Sequence, residues 1–348
     1  MPCGLFHTAY QTDERIYKSI WARSWLVAFG LFLLLLPLFV RDYVLYVSNM
    51  ISIFVVGAIG LNILTGFTGQ ISIGHAAFMA VGAYTSAILT TKLGLPFWIA
   101  LPCAGFFAAF TGMIFGIPSL RIKGLYLAIA TLAAQFIIEY TIIHWEGLTN
   151  GITGMSVPSP SLFGFVFDTD KKFYYLLLGF AAMAVITGRN LFRTRVGRAF
   201  IAIRDRDISA ELIGVDIFRY KLLAFGISSF YAGVAGSLWG HYTNVITPEH
   251  FSIVLSVDYL AMIIVGGLGS ILGTVLGVIF MILIPELLTT VAVLLKSSFG
   301  EITTLISAIK GLVFGMTIVL FLLLEPDGLS EIWRRTRDYW KLWPFSYR

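Results

Sequence analysis

His7, His75, His144, His241 and His250, with Cys3 and Cys103, are the histidine and cysteine ligands that this chain could offer a metal. A zinc site needs three or four such residues converging, usually at close spacing. Here they are scattered singly and no HExxH occurs, so metal-assisted hydrolysis has no constellation to work from. Serine chemistry fares no better. In a GxSxG elbow, Gln70 stands where the first glycine would precede Ser72, and Phe230 where the last would follow Ser228. There is no GxxxxGK[ST] phosphate loop either, so nucleotide hydrolysis by that machinery would have to be supplied by another chain. Two cysteines exclude a disulfide framework, and Cys103, inside an apolar run, reads as a small buried hydrophobe. The residue types argue against an enzyme and against a bound cofactor.

What remains is patterned for contact rather than catalysis. The polar stretch Gly188 to Lys221 carries eight basic residues against Asp205, Asp207, Glu211 and Asp216. Within it Phe200, Ile203, Ile208, Leu212 and Ile213 are spaced so that short helices would present an apolar stripe between charged flanks. Ala210 and Gly214 are four apart, which on one helix would leave a smooth face for another surface. The alternative is an ordinary solvated basic loop. A second feature is GLNILTGFTGQISIGHAAFMAVGAY, from Gly60 to Tyr84, where Gly66, Gly69 and Gly74 fall close together. Ser72, Ala76 and Ala80 repeat every four residues, making a groove for a neighbouring helix, while Gly74 and Gly82 lie on another face. Asn62, Gln70 and His75 add polar groups that need partners or mark a path. A third is VGGLGSILGTVLGVIF, from Val265 to Phe280, where Gly269, Gly273 and Gly277 are again four apart. The two glycine-rich stretches have the texture of an internal repeat. For Gly66, Gly69, Gln70, Gly74, His75, Gly82, Gly269, Gly273 and Gly277, helix packing and a translocation path both stay open. Gln135, Glu139, Asp258 and Glu286 are the other polar groups in or beside apolar runs, and none is placed as a midplane ion-coupling carboxylate.

The elements that position these residues are set by composition. Of 348 residues, 58% are apolar and 12% charged. A soluble domain carries about 25% charged residues, so most of this surface faces a solvent other than water. The 34 glycines fall within apolar runs, as membrane helices tolerate. Spans are expected at Trp25–Val40, Val44–Thr65, Ile71–Thr90, Phe97–Ile117, Gly124–Ile143, Phe173–Thr187, Leu222–Trp239 and Ile309–Leu324. Val257 to Leu288 is too long for one crossing and is broken by Gly266, Gly267, Gly269 and Gly273, so two short elements are expected there. Arg121 and Lys123, the basic loop, and a tail with Arg334, Arg335, Arg337, Lys341 and Arg348 place those segments and both termini on the cytoplasmic side. The formal charge of +5 is spent in these loops, and nucleic acid is not indicated. His144 to Lys172 lacks the basic bias and is expected outside as an irregular loop pinned by Pro158 and Pro160. Both ends inside requires an even count, and ten crossings satisfy it. The expected fold class is therefore an all-α polytopic transmembrane helical bundle of about ten membrane elements, some short or broken. It divides into a cytoplasmic segment 1–24, a membrane domain 25–325 that includes the loop 188–221, and a cytoplasmic tail 326–348. The first run lacks a small-residue cleavage site, so a retained helix is expected rather than a signal peptide.

Several of these motifs, in this order, resemble the permease subunit of bacterial high-affinity branched-chain amino acid ABC importers. They are Gly60–Tyr84, SLRIKGLYLAIATLA (Ser119–Ala133), NGITG (Asn150–Gly154) and VGRAFIAIRDRDISAELIGVDIFRYKLLAFGISSFYAGVAGSLWG (Val196–Gly240). The resemblance implies a bacterial inner-membrane permease that pairs with a second, homologous permease subunit. Two cytoplasmic ATP-binding subunits would hydrolyse the ATP, and a periplasmic substrate-binding protein would deliver leucine, isoleucine or valine. It also implies that Ser209 to Asp216 is the coupling segment that seats in an ATPase groove, with Ser209, Ala210, Glu211, Leu212, Gly214 and Asp216 as its contact residues. Related permeases serve urea and short amides, so these remain alternative cargoes; an ion-coupled secondary carrier is the reading from a different class.

Overall fold

The computed structural model describes residues 20–120, 124–162, 165–295, 302–325 and 327–342. Arg121, Lys123 and Arg348, and most of the segment 1–24, lie outside the described residues. The helices are α1 (Ile20–Phe39), α2 (Asp42–Asn62), α3 (His75–Thr91), α4 (Phe97–Gly116), α5 (Leu125–His144), the single turn α6 (Glu146–Thr149), α7 (Asp170–Arg193), α8 (Arg195–Asp205), α9 (Asp207–Leu212), α10 (Ile217–Thr243), α11 (Ile253–Gly266), α12 (Ile271–Leu295), α13 (Ile302–Leu324) and α14 (Gly328–Leu342). Seven described segments are long and apolar enough to cross a bilayer. With α1, α3 and α13 they make ten elements in the apolar part of the chain. The region from 257 to 288 is two elements, as its glycines imply, with the break between Gly266 and Ile271. They are not both short: the first starts earlier, at Ile253, and the second runs on to Leu295, a helix of 25 residues.

The core is built on α2 and α10, with α3 and α4 packed between and beside them. Close approach needs residues without bulk. Gly82 of α3 lies directly against the Gly233 backbone of α10, and a Cβ at position 82 would overlap it. Around these contacts Ile53, Ile59, Phe78, Phe225 and Tyr259 are almost completely buried.

Lipid offers no hydrogen bonds, so every backbone group that a helix leaves open needs a protein partner. Pro37 in α1 removes the N–H that would bond the Leu33 carbonyl. The Tyr174 hydroxyl of α7 donates to that carbonyl at 2.9 Å, and Tyr175 to Leu34 O at 3.2 Å. The start of α3 is the larger case. The helix begins at His75, four residues after the expected Ile71, because Thr68–Gly74 is non-helical. Ser72 is therefore not on the small-residue face expected of it. Its Oγ instead accepts from Gly74 N, 3.4 Å away. The open N–H groups at this end go to side chains from other helices. Ile73 N donates to Thr131 Oγ1 (3.0 Å), Ala76 N to Ser256 Oγ (2.9 Å) and Ala77 N to Gln135 Oε1 (2.8 Å). Gln135 Nε2 then donates to Phe251 O at 2.7 Å, tying α3, α5 and the start of α11 together.

At the opposite end of the bundle, 144–172 is more ordered than an irregular loop. Strand β1 (Met155–Ser156) pairs antiparallel with β4 (Val245–Ile246), and β2 (Ser161–Leu162) with β3 (Phe165–Val166). His241 Nδ1 bonds Pro158 O at 2.8 Å, anchoring the proline corner on α10. Lys172 donates to Asp168 at 2.6 Å, and this hydrogen bond holds the Asp168 carboxyl below its ordinary range.

Gln135→Leu leaves Ala77 N and Phe251 O unpaired inside the bundle and is expected to destabilise by about 2–4 kcal/mol. Tyr174→Phe, which frees one carbonyl at the lipid edge, should cost about 1 kcal/mol. Thermal unfolding in detergent should rank the two in that order.

Candidate functional site: a junction of two glycine turns and a polar loop

Helix α2 does not end cleanly. Its last turn, Ile63–Phe67, widens into a π-helical turn, a local form common at functional positions. Thr68 Oγ1 closes it by donating to Ile63 O at 2.9 Å. Gly66 lies in this turn, and Gly69 just beyond it adopts φ +71°, the left-handed region that favours glycine. On the other side, α11 and α12 are joined by Gly267–Ser270, where Gly267 and Gly269 have φ of +111° and +78°.

The two turns touch. A Cβ on Gly66 would run into Asn62 Oδ1 and into the Gly269 amide nitrogen. Asn62 joins them: its Oδ1 accepts from Gly269 N (3.0 Å), while its Nδ2 donates to Ser270 O (3.1 Å) and to Thr274 Oγ1 (2.6 Å). Arg204, near the end of α8, reaches the same point. Its Nη1 donates to Gly66 O at 3.1 Å, its stem lies along Gly69, and Asp205 holds the other side of the guanidinium at 3.1–3.2 Å. The polar loop is therefore bonded to the first glycine turn by one side chain, whose Nη1 also lies against Gly269 of the second.

The loop is two helices and a cap. Thr194 N-caps α8 by accepting from Gly197 N at 3.3 Å. Asp216 N-caps α10 by accepting from Arg219 N at 3.1 Å. The expected apolar stripe is divided. Phe200 and Ile203 are buried inside the chain, whereas Ile208, Leu212 and Ile213 are 69%, 84% and 77% exposed. Ala210 and Gly214 do not share a helical face. Ala210 is buried, and Gly214 follows the end of α9 with φ +88°. Gly214 N bonds Glu211 O (2.9 Å) and Val215 N bonds Ala210 O (3.0 Å), the paired bonds of a Schellman ending. Glycine here ends the helix rather than smoothing it. Ser209, Glu211 and Leu212 are exposed on the short helix thus defined.

The remaining predicted residues fall in three places. Gly69 and Gln70 line a cavity of about 490 Å³ between the π turn, the start of α5 and the α8–α9 corner, with Lys221 buried in its wall. Neither amide atom of Gln70 has a partner among the described residues. Gly74 and His75 are inside the bundle, Gly74 against the Thr131 carbonyl and His75 Nε2 on Gly57 O at 2.9 Å. Gly273 and Gly277 of α12 face α11, against Gly266 and Met262. Gly269 is not on that ridge, because it belongs to the turn that precedes α12. Arg204 was not distinguished by sequence, being one of eight basic residues in its loop, and neither Thr274 nor Ser256 carried a signal. Among the described residues no group of histidine, cysteine or carboxylate side chains could hold a metal ion.

A multi-pass helical bundle with broken helices meeting beneath a polar loop defines the class, an all-α polytopic membrane protein. The chain belongs to the branched-chain amino acid transport system / permease component family, whose model matches residues 43–322. It is 31% identical over 341 residues to the high-affinity branched-chain amino acid transport system permease protein LivM of Escherichia coli (strain K12), covering 91% of this chain and 77% of that protein. It is 26% identical over 234 residues to the probable branched-chain amino acid transport permease protein LivM of Methanocaldococcus jannaschii, covering 66% of this chain and 67% of that one. To the E. coli (strain K12) high-affinity permease protein LivH it is 25% identical over 293 residues, covering 78% and 89%. No solved structure matches the chain.

Asn62→Ala removes three bonds at the junction and should destabilise by about 2–3 kcal/mol, while Arg204→Lys, which keeps the charge but loses the planar fork, should leave thermal stability within about 1 kcal/mol. Gly66→Ala has no room for its methyl and should abolish recovery of folded protein. Size-exclusion recovery and thermal midpoints in detergent check all three.

Proposed function

We propose that this chain is one permease subunit of an ATP-driven importer that carries branched-chain amino acids, leucine, isoleucine and valine, into the cytoplasm. The observation that carries the reading is the exposed apolar set Ile208 and Leu212 on the short helix α9 with Ile213 just after it, next to Arg204, which bonds the Gly66 turn and lies against Gly269. Large apolar side chains on a polar loop are costly to leave in water, at roughly 25 cal/mol per Å². They suit a groove on a cytoplasmic ATP-binding subunit. Ser209, Glu211 and Asp216 would give that contact its polar rim. Ala210 and Gly214 would act from within, one packing the short helix onto the chain and the other ending it.

In this mechanism two ATP-binding subunits move α9. Arg204 passes the displacement to Gly66 and Gly269, where α2, α11 and α12 change direction. A second, homologous permease subunit completes the path, and a substrate-binding protein docks on the opposite end of the bundle, which includes the strand pairs at 155–166 and 245–246. The permease forms no covalent bond; its partners shift the populations of outward- and inward-open states. Gly74, His75 and Gly82 are internal packing residues close to that path, and Gln70 faces the cavity beside it. The topology that fits is a bacterial inner-membrane protein with both termini and the basic loop in the cytoplasm.

The test is uptake by the complete complex in proteoliposomes, comparing leucine with urea. ATP-dependent leucine uptake that requires the binding protein is expected; uptake driven by an ion gradient without ATP would overturn the reading, and urea uptake alone would change the cargo. Leu212→Asp with Ile213→Asp should reduce co-purification of the ATP-binding subunits by at least about tenfold, the loss of roughly 1.4 kcal/mol or more of contact energy. Unchanged association would count against the assignment of α9.

A further inference from the structure

The helix α14 (Gly328–Leu342) follows the apolar helix α13 after a break of three residues and has a different composition, GLSEIWRRTRDYWKL. At 100° per residue, Leu329, Ile332, Trp333, Thr336 and Tyr339 fall within one sector of about a third of the helix. Arg335 and Arg337 flank the sector, and Glu331, Arg334 and Asp338 lie opposite. Trp333 and Tyr339 are each 55% exposed and Ile332 is 37% exposed. An aromatic face bordered by arginines, on a helix leaving a membrane span, is the pattern of an element lying in the headgroup plane.

Its first turn fixes where it lies. Gly328, at φ +71°, packs against Gly267 and comes within contact of Val265 O, with an added Cβ at 2.8 Å. Ser330 sits against Gly267 and Gly273. The base of α14 is thus seated on the α11–α12 turn, whose other side meets Gly66 and Arg204. This puts α14 on the same side of the membrane as the basic loop, the side on which anionic lipid headgroups are met. The arginines are paired within the chain: Arg334 with Glu331 (2.9 Å), Arg335 with Glu325 (3.1 Å) and Arg337 with Asp338 (3.2 Å). The three guanidiniums are 50–65% exposed, but Glu331 (15%) and Glu325 (29%) are partly covered. Only Arg337–Asp338 is exposed on both sides, and an exposed pair contributes little, so a phosphate can replace the carboxylate readily there and compete for the open side of Arg335.

We propose that α14 lies in the headgroup region of the leaflet beneath the basic loop, with its Trp333–Tyr339 face in the lipid and the flanking Arg335 and Arg337 on anionic phospholipid. Through Gly328 and Ser330 this seat holds the α11–α12 turn in place, so the lipid composition of that leaflet sets how readily the turn moves. The placement of the helix does not depend on the importer reading; only its effect on uptake does.

The first test is depth. In the complete complex, with Cys3→Ser and Cys103→Ser, single nitroxides are attached at Thr336→Cys and at Arg334→Cys in phosphatidylcholine–phosphatidylglycerol vesicles. The label at 336 should be relaxed by oxygen and shielded from a water-soluble nickel chelate, and the label at 334 the reverse. A label at 336 in water, or one shielded from both reagents because a protein partner covers the face, overturns the proposal. The second test is uptake of leucine in phosphatidylcholine vesicles with and without phosphatidylglycerol. The wild-type complex should gain several-fold from the anionic lipid, with Trp333→Ser/Tyr339→Ser losing that gain and Arg335→Gln and Arg337→Gln each weakening the dependence by up to about fivefold. A variant that responds to phosphatidylglycerol as wild type does would refute the regulatory part. Absence of uptake in every lipid would count against the importer reading, and the spin labels would still decide where α14 lies.

Discussion

Two chain reversals that lack side chains meet at one point, and a single amide holds them there. Asn62 bonds Gly269 N, Ser270 O and Thr274 Oγ1, and the contact exists only because Gly66 presents no Cβ to the Gly269 backbone. In lipid neither turn could leave its backbone groups unpaired, so each supplies what the other lacks. Arg204 adds the Gly66 carbonyl to the loop, and Gly328 with Ser330 adds α14 from the other side. Four parts of the chain far apart in sequence therefore share one small, close-packed junction. Close-packed contacts of this kind tend to shift between discrete arrangements rather than deform continuously.

The same constraint accounts for the broken start of α3. A helix beginning inside the bundle exposes unpaired N–H groups, and an irregular segment such as Thr68–Gly74 is tolerated only where protein covers it. Thr131, Ser256 and Gln135 meet that need from α5 and α11. Pro37 is answered in the same way by Tyr174. Polar residues deep in this protein thus serve first to complete backbones, and a residue such as Gln70, whose amide atoms find no such partner, stands apart from them.

In the proposed mechanism, lipid fixes the bundle and water-facing segments move it. The junction is where the two meet: the end of α9 and the residue after it expose Leu212 and Ile213 below it, and α14 exposes Trp333 and Tyr339 beside it. A protein partner on the first and a lipid surface on the second would act on the same pair of turns, which makes the glycine turns rather than any one helix the moving part.

Composition and hydropathy were enough for the membrane, the all-α class and ten elements, because a chain with 12% charge has no other way to solvate its surface. The break within 257–288 was legible too, since glycines interrupting an apolar run leave few alternatives. Periodicity misled where it assumed unbroken helices. Ser72 and Gly269 fell in turns, and Gly214 ended a helix instead of smoothing one, because a spacing of four has meaning only where the backbone stays helical. Which side chains complete the turns was decided by tertiary structure alone. Asn62 stands out along the chain only as a polar group in need of some partner, Thr274 and Ser256 are ordinary polar residues, and Arg204 is one arginine among several. Their roles arise from packing that brings positions 66, 204 and 269 together, and no local pattern encodes contacts across such distances.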